Sequence, residues 1–203
     1  MTDSQRKEII SIEGDKGASL FYRPLIDVID QDRFGIIQGI IDDDFQKLDK
    51  LYDDRAFAIV GALCIENALD KFLSTWLVNY KKYLRDNKDF TFSSKVDLAK
   101  STRLVPMRIF NSIDPIRRIR NIFAHHLEID SFKKAKEIRP GPFQSLYDKI
   151  KTFVEWNKQE DRETFKNLVI FIVLAIEVYT KHVEKVRNYI WTPEKLSEII
   201  KAV

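Results

Sequence analysis

The sequence predicts an all-α protein built as a helical bundle. Glycine and proline are sparse, with six of each among 203 residues, so tight turns are few. Apolar residues recur at three- and four-residue steps in several long stretches, which is the periodicity of a helix with one buried face. We expect residues 1–50 to form an N-terminal extension of short helices after a loose arm, packed on a helical domain in residues 51–203.

The first long helix is predicted from Asp53 to about Leu84, with Asp53 or Asp54 as its N-terminal cap. Its centre, residues 58–65, is apolar on nearly all sides. A helix of that kind is found deep in a core, because no face of it prefers water. We therefore expect this helix to be the central element of the domain.

Two further helices follow after a polar break. Ser93 or Ser94 is expected to cap a short one. Asp114 followed by Pro115 predicts the start of the next one, since aspartate caps helices and proline suits their first position. In this helix, over residues 115–127, one stripe is apolar and consists of Ile116, Ile119, Phe123 and Leu127.

The C-terminal part of the chain is also predicted to be helical. Residues 139–142 read Arg-Pro-Gly-Pro, which predicts a loop. Helices are then expected over residues 143–155 and 162–189, and a last short helix is expected to be capped at Thr192. No internal repeat interrupts this series of helices.

Composition and charge restrict the class of protein. The single cysteine, Cys64, excludes an intrachain disulfide and a cysteine-based zinc cluster. The most apolar stretch, residues 168–176, is far shorter than the ~20 residues that span a bilayer. We expect a cytoplasmic protein with no membrane partner. Acidic side chains are in excess in residues 1–54 and basic ones in the remainder, which is compatible with an anionic ligand and also with solvated helix faces.

The polar side chains of the helix at 115–127 are the candidates for chemistry. They are Arg117, Arg118, Arg120, Asn121, His125 and His126. On a helix, Arg120 and His125 lie about 7.5 Å apart along the axis and about 140° apart around it. They are not stacked on one face, but an arginine is long enough to approach an imidazole at that distance.

A histidine paired with an arginine suits phosphodiester transfer. Neutral imidazole can take the proton of an attacking hydroxyl, and imidazolium can protonate the leaving oxygen. Guanidinium can hold the phosphate and stabilise the charge that grows in the transition state. RNA supplies its own nucleophile, the 2′-hydroxyl, so we expect neither a metal nor another cofactor, and no carboxylate–histidine spacing in the sequence indicates a metal site.

The stretch 116–127, Ile-Arg-Arg-Ile-Arg-Asn-Ile-Phe-Ala-His-His-Leu, resembles the signature of the HEPN superfamily, Arg-polar-x3-His. Arg120, Asn121 and His125 match its three defined positions. Residues 55–132 further resemble the mannitol-repressor-like branch of that superfamily. The similarity rests on the buried helix at 58–73, the Ser-Ser-Lys-Val-Asp-Leu-Ala helix at 93–99, and an Ile-Arg-Asn-x-Phe-Ala-His turn that is followed by Ser-Phe.

The resemblance implies a HEPN-type helical bundle, with additional N- and C-terminal helices, that dimerises with two motifs facing each other. Catalytic members are metal-independent endoribonucleases of toxin–antitoxin, abortive-infection and CRISPR-linked defence systems. By this resemblance Arg120 would orient the scissile phosphate, His125 would be the general acid and base, and Asn121 would hold them in register. The implied function is an RNA-cleaving toxin or antiphage-defence effector that yields 2′,3′-cyclic phosphate ends and works with an antitoxin or defence-system partner.

Several other residues are assigned supporting roles. Glu66 is expected to pair with Arg120 from the neighbouring helix, and His126 to assist His125. Arg117 and Arg118 are candidates for backbone phosphate contacts. Residues 131–136 could line an RNA groove through Lys133 and Lys134, with Phe132 as a stacking surface. Each of these charged residues has an ordinary alternative as part of a solvated helix face.

A non-catalytic function is the alternative for the whole protein. The mannitol-repressor-like branch is associated with transcriptional regulation, so the chain could be a regulator or a protein-interaction module that uses the same helix surface. Direct reading of DNA is weakly supported, because no helix-turn-helix with a basic recognition helix is evident. In this alternative His125 is a cationic side chain that interacts favourably with the C-terminus of its helix, and Arg120 is a surface residue.

Overall fold

The computed structural model describes Leu48 and residues 50–77, 79–85, 87, 89–153 and 160–190. All of these belong to one of two units into which the chain divides, Ile41–Val203. The described residues form helices and no strand, which confirms the predicted all-α class. The elements expected in residues 1–47 and at Thr192 lie outside the described residues. The helices are α1 (Asp54–Trp76), a π-helix (Lys81–Arg85), α2 (Phe92–Ser101), α3 (Met107–His125), α4 (Phe132–Ile138), α5 (Pro140–Ile150) and α6 (Asp161–Ile190).

Helix α1 begins where the sequence predicts and ends earlier than expected. The carboxylate of Asp53 accepts a hydrogen bond of 2.8 Å from the Arg55 amide, which is a capping contact. The helix ends at Trp76 because Leu77 turns into an extended conformation. Asn79 then adopts a left-handed φ of 64°, so the segment before the π-helix cannot continue α1.

The core is centred on α1, which packs against α6, α3 and α2. Helix α6 follows the prediction over residues 162–189 closely. Gly61 lies where α1 meets α6, and a Cβ atom there would lie only 2.8 Å from Cε1 of Phe165. The glycine therefore permits a close approach of the two longest helices.

Helix α3 begins at Met107, so the prediction that Asp114 caps it is wrong. Pro115 lies inside the helix, and lacks the amide that would bond to the carbonyl of Asn111. The side chains of Ile109 and Ile113 are buried, at 0% and 1% exposure. Burial of this additional apolar stripe offsets the missing hydrogen bond. The Asp-Pro pair predicted a helix start because it reflects only local preferences and not this burial. The Asp114 carboxylate instead pairs with Arg117 at 2.9 Å.

Two other helix ends differ from the predictions by a few residues. Thr91, rather than Ser93 or Ser94, caps α2, and its hydroxyl accepts from the Ser94 amide at 3.3 Å. Helix α3 ends at His125, so Leu127 does not continue the apolar stripe and is 86% exposed.

The predicted loop at residues 139–142 is wrong, because Pro140, Gly141 and Pro142 form the first turn of α5. Amides in a first turn have no intrahelical acceptor, so proline loses nothing there and its fixed φ is already helical. Helix α5 consequently starts immediately after α4, with Arg139 between them.

Phe132 is the centre of an aromatic cluster and is only 3% exposed. Its ring lies 5.1 Å from that of Phe123 and 5.3 Å from that of Phe165, measured between centroids. The rings of Phe57 and Phe143 complete the contacts. The suggestion that Phe132 stacks on RNA is therefore wrong, because its ring packs against other aromatic rings in the core.

Candidate active site

A cleft of about 290 Å³ opens where the end of α3 meets the beginning of α5. We call it the His125 cleft. Its lining contains two imidazoles, two guanidiniums, one amide and two apolar residues, namely His125, His126, Arg118, Arg139, Asn121, Ile122 and Pro142. The structure thus gathers four of the residues that the sequence singled out and adds Arg139, which had been assigned to a loop.

The helical positions of the lining residues explain which arginine faces His125. Arg118, Asn121 and His125 are spaced three and four residues apart, so they share one face of α3. Arg120 lies on another face and does not line the cleft. Its Nη1 donates to Oδ1 of Asn121 at 3.1 Å. Within one chain, Arg120 therefore contacts a residue of the cleft, and Arg118 is the arginine of α3 that lines the cleft together with His125.

The two histidines differ in their surroundings. Nδ1 of His126 lies 3.3 Å from Oε1 of Glu128. A hydrogen bond from the backbone amide of Glu128 to its own carboxylate, together with this contact to His126, holds the pKa of the Glu128 carboxyl below its usual value. The ring of His125 is exposed and has no hydrogen-bond partner among the described residues. His125 is thus the imidazole whose nitrogens are open to a ligand.

The cleft is a cationic environment. Arg118 lies 3.8 Å from the Asp114 carboxylate, a loose ion pair, and is 53% exposed. Arg139 is exposed and its side chain has no partner in the described part of the chain. None of the described residues that line the cleft carries a carboxylate. An anion would therefore meet two guanidiniums without competition from a fixed negative charge inside the cleft.

Arg55 holds the end of α3 in place, and sequence reasoning did not identify it. Its guanidinium donates to the carbonyls of Phe123, His126, Leu127 and Ile129, at distances of 2.7 to 3.0 Å. Phe123 belongs to the last turn of α3, whose carbonyls have no partner within the helix, and the other three acceptors lie in the segment that follows. The beginning of α1 thereby fixes the backbone on both sides of His125. Position 55 carried no signal beyond a charge near the cap of an apolar helix.

Glu66 does not reach Arg120, because it belongs to a separate ion cluster between α1 and α2. Lys95 Nζ donates to Glu66 at 2.7 Å and to Asp70 at 2.9 Å. The Tyr80 hydroxyl donates to the other Asp70 oxygen at 2.5 Å. Burial by itself disfavours the ammonium form of Lys95, but its hydrogen bonds to Glu66 and Asp70 outweigh that effect and raise its pKa. The supporting role predicted for Glu66 beside Arg120 is not what the structure shows.

The remaining predicted nucleic-acid contacts lie outside the His125 cleft. Arg117 pairs with Asp114 at 2.9 Å and faces a different groove. Lys134 donates to the Glu128 carbonyl at 2.5 Å and lies 3.9 Å from Asp130. Lys133 is exposed on α4. Only Arg118 of the four predicted phosphate contacts is placed beside His125.

Within the described residues, no group of three or more His, Cys, Asp or Glu side chains could hold a metal ion. None of the described helices combines the length and the apolar character needed to cross a membrane. Comparisons of the chain with protein-family models, with curated proteins and with solved structures give no significant match.

Proposed function

We propose that this protein is a metal-independent endoribonuclease of the HEPN type, a toxin or antiphage-defence effector that acts as a homodimer in the cytoplasm. The observation that carries the proposal is the composition of the His125 cleft, whose described lining combines an imidazole that has no partner among the described residues with two guanidiniums and no carboxylate. A phosphodiester is the ligand whose charge and reactivity match that set. An antitoxin or another defence-system protein is the proposed regulator.

His125 supplies the proton transfers of the proposed reaction. Its neutral imidazole takes the proton of the RNA 2′-hydroxyl, and the oxygen attacks the adjacent phosphorus. The bond from phosphorus to the 5′-oxygen of the next nucleotide breaks. The leaving oxygen then receives a proton from the imidazolium or from water. The products are one RNA with a 2′,3′-cyclic phosphate and one with a 5′-hydroxyl.

The arginines stabilise the charge of the reacting phosphate. Arg118, Arg139 and the Asn121 side chain line the cleft and can donate to the phosphate oxygens. Preorganised donors of this kind lower the barrier because they are already oriented when negative charge develops. In the proposed homodimer the site is composite, and the cleft of one protomer receives Arg120 of the partner subunit.

The test is cleavage of labelled RNA by the purified protein in the presence of EDTA, with analysis of the product ends. We expect 2′,3′-cyclic phosphates from the wild-type protein and no cleavage by His125→Ala. His126→Ala is the matched control, since it removes the imidazole that already contacts Glu128 and should retain part of the activity. Absence of cleavage by the folded wild-type dimer, or equal cleavage by His125→Ala, would rule out this function.

One observation favours the alternative of a non-catalytic interaction module. Leu127 and Ile138 are 86% and 51% exposed, and they directly follow His126 and directly precede Arg139, both of which line the cleft. Exposed apolar side chains near a polar cleft suit a protein contact. In that case Leu127→Asp would abolish the cellular activity or partner binding, whereas His125→Ala would leave both unchanged.

A further inference from the structure

A second concavity lies between α2, α3 and α5, and we call it the α2–α3–α5 groove. Its volume is about 440 Å³, larger than that of the His125 cleft. The floor is apolar and consists of Val96, Phe110 and Ile113, which are 7%, 1% and 1% exposed. The sides are polar and carry charges from all three helices. Because most of the lining residues are polar or charged, the groove suits a charged ligand that forms hydrogen bonds.

The fixed charges of the groove do not cancel. Three cations and two carboxylates line it: Lys100, Arg117, Lys149, Asp97 and Asp114. Arg117 pairs with Asp114 at 2.9 Å, and Lys100 lies 3.7 Å from Asp97. Lys149 has neither an ion-pair nor a hydrogen-bond partner in the described residues. The groove therefore holds a surplus of one positive charge, located on Lys149.

Neutral hydrogen-bonding groups accompany this lysine. The hydroxyls of Ser93 and Ser145 and the amide of Asn111 line the same groove. In the part of the chain that the structure describes, none of these three side chains has a hydrogen-bond partner within the protein. Together with Lys149 they offer several hydrogen-bond donors to the oxygens of a phosphate group.

The groove and the His125 cleft adjoin along the contact between α3 and α5. Arg117 faces the groove, and the next residue, Arg118, faces the cleft. On α5, Pro142 lines the cleft and Ser145 lines the groove, which places them about 4.5 Å apart along the helix axis. Neighbouring nucleotides of one strand can therefore reach both concavities.

We propose that the α2–α3–α5 groove binds a nucleotide of the RNA strand whose scissile phosphate occupies the His125 cleft, and that Lys149 contacts its phosphate. The proposal rests on the proposed function, because it takes RNA as the ligand. The surplus of one positive charge matches the single negative charge of a phosphodiester. A free nucleotide carries a phosphomonoester of about −1.5 to −2, which this groove would leave partly uncompensated. A nucleotide within a strand is thus preferred to a free one.

The experiment measures binding separately from cleavage. A fluorescently labelled single-stranded RNA is titrated with the full-length His125→Ala protein, with and without Lys149→Ala, and anisotropy is recorded at several salt concentrations. We expect Lys149→Ala to weaken binding about fivefold to tenfold and to reduce the slope of log K against log[salt] by about 0.7, the value for one lost single-strand phosphate contact. Lys149→Gln should behave in the same way.

Lys151→Ala is the matched control. Lys151 is exposed at the end of the same helix and does not line the groove, so its removal changes the net charge equally and should leave affinity and slope unchanged. Equal losses of RNA affinity in Lys149→Ala and Lys151→Ala would show that binding depends only on the net charge of the protein, and would overturn the proposal. A second arm uses 5′-AMP alone. Lys149-dependent binding of 5′-AMP without Lys149-dependent binding of RNA would overturn the assignment to a strand.

Failure of this proposal is distinguishable from failure of the proposed function. If the wild-type protein cuts no RNA but Lys149→Ala still weakens RNA binding, the nuclease proposal is refuted and the groove proposal is supported. If the wild-type protein cuts RNA but the Lys149→Ala protein binds RNA normally, the groove proposal is refuted and the nuclease proposal stands.

Discussion

Nη1 of Arg55 donates to the carbonyl of Phe123 at 2.8 Å, and this bond joins the beginning of the central helix to the end of the helix that carries His125. The same guanidinium also donates to three carbonyls in the turn that follows. His125 lies between these acceptors along the chain. The position of the imidazole therefore depends on a residue far away in sequence that does not line the cleft.

Replacing Arg55 should affect both stability and activity. We expect Arg55→Met to lower the free energy of unfolding by about 2 to 3 kcal/mol, because hydrogen bonds from a charged donor are lost and carbonyls remain unpaired. Urea denaturation followed by circular dichroism measures the loss. Lys133→Met is the control, since this exposed lysine should change the value by less than about 0.5 kcal/mol. A similar loss for both variants would contradict the role given to Arg55.

If each active site combines His125 of one protomer with Arg120 of the other, activity should return when two inactive variants form mixed dimers. Arg120→Ala and His125→Ala should each be inactive alone. When the two are mixed with subunit exchange, half of the dimers contain one intact site, so about a quarter of the wild-type RNA cleavage should return. No recovery, with exchange verified by mass spectrometry, would show that Arg120 and His125 act within one chain.

The Lys95 cluster should dominate the stability of the contact between α1 and α2. We expect Lys95→Met to lower the free energy of unfolding by about 3 kcal/mol, because it leaves two partly buried carboxylates without a counterion. Lys71→Met removes an ion pair to Glu177 whose lysine is 58% exposed, and should cost less than about 1 kcal/mol. Urea denaturation at pH 7 compares the two variants.

The effect of Lys95 should disappear at alkaline pH. The pKa of Lys95 is raised in the folded protein above its ordinary value of 10.5. A raised pKa means that its stabilising contribution is complete below pH 10.5 and is lost as the pH rises through the folded value. The difference in unfolding free energy between wild type and Lys95→Met should thus be constant from pH 7 to 9 and shrink above pH 10.5. A difference that stays constant to pH 11.5 would contradict the ion cluster.

Gly61 should tolerate no larger side chain, although a glycine within a helix is normally improved by alanine. An added Cβ would lie 2.8 Å from the Phe165 ring, so Gly61→Ala should lower the unfolding free energy by about 1 to 2 kcal/mol through overpacking. At Gly141 nothing lies within 4 Å of an added Cβ, and Gly141→Ala should change stability by less than about 0.5 kcal/mol. Thermal denaturation of the two variants tests the contrast.

The sequence by itself determined the helical class, a cap at Asp53 or Asp54, the long C-terminal helix and the segment that contains His125. These features depend on periodicity and on contacts within a few residues, which the sequence displays directly. The predicted helix starts at Asp114 and after residues 139–142 were wrong because packing between distant residues outweighed the local preferences of these proline-containing segments. Burial of Ile109 and Ile113 extended α3 through Pro115, and the prolines after Arg139 began α5 rather than interrupting it.

Only the tertiary structure decided which side chains share a site. The spacing of Arg118, Asn121 and His125 puts them on one face of α3, but which side chains complete the cleft depends on the helices packed around that face. Arg139 joins the cleft because α5 packs against α3, and Arg55 supports it because α1 begins at the end of α3. Glu66 is paired with Lys95 instead of Arg120. Contacts between residues distant in the chain depend on how helices pack, and the spacing of residues along one helix carries no information about that packing.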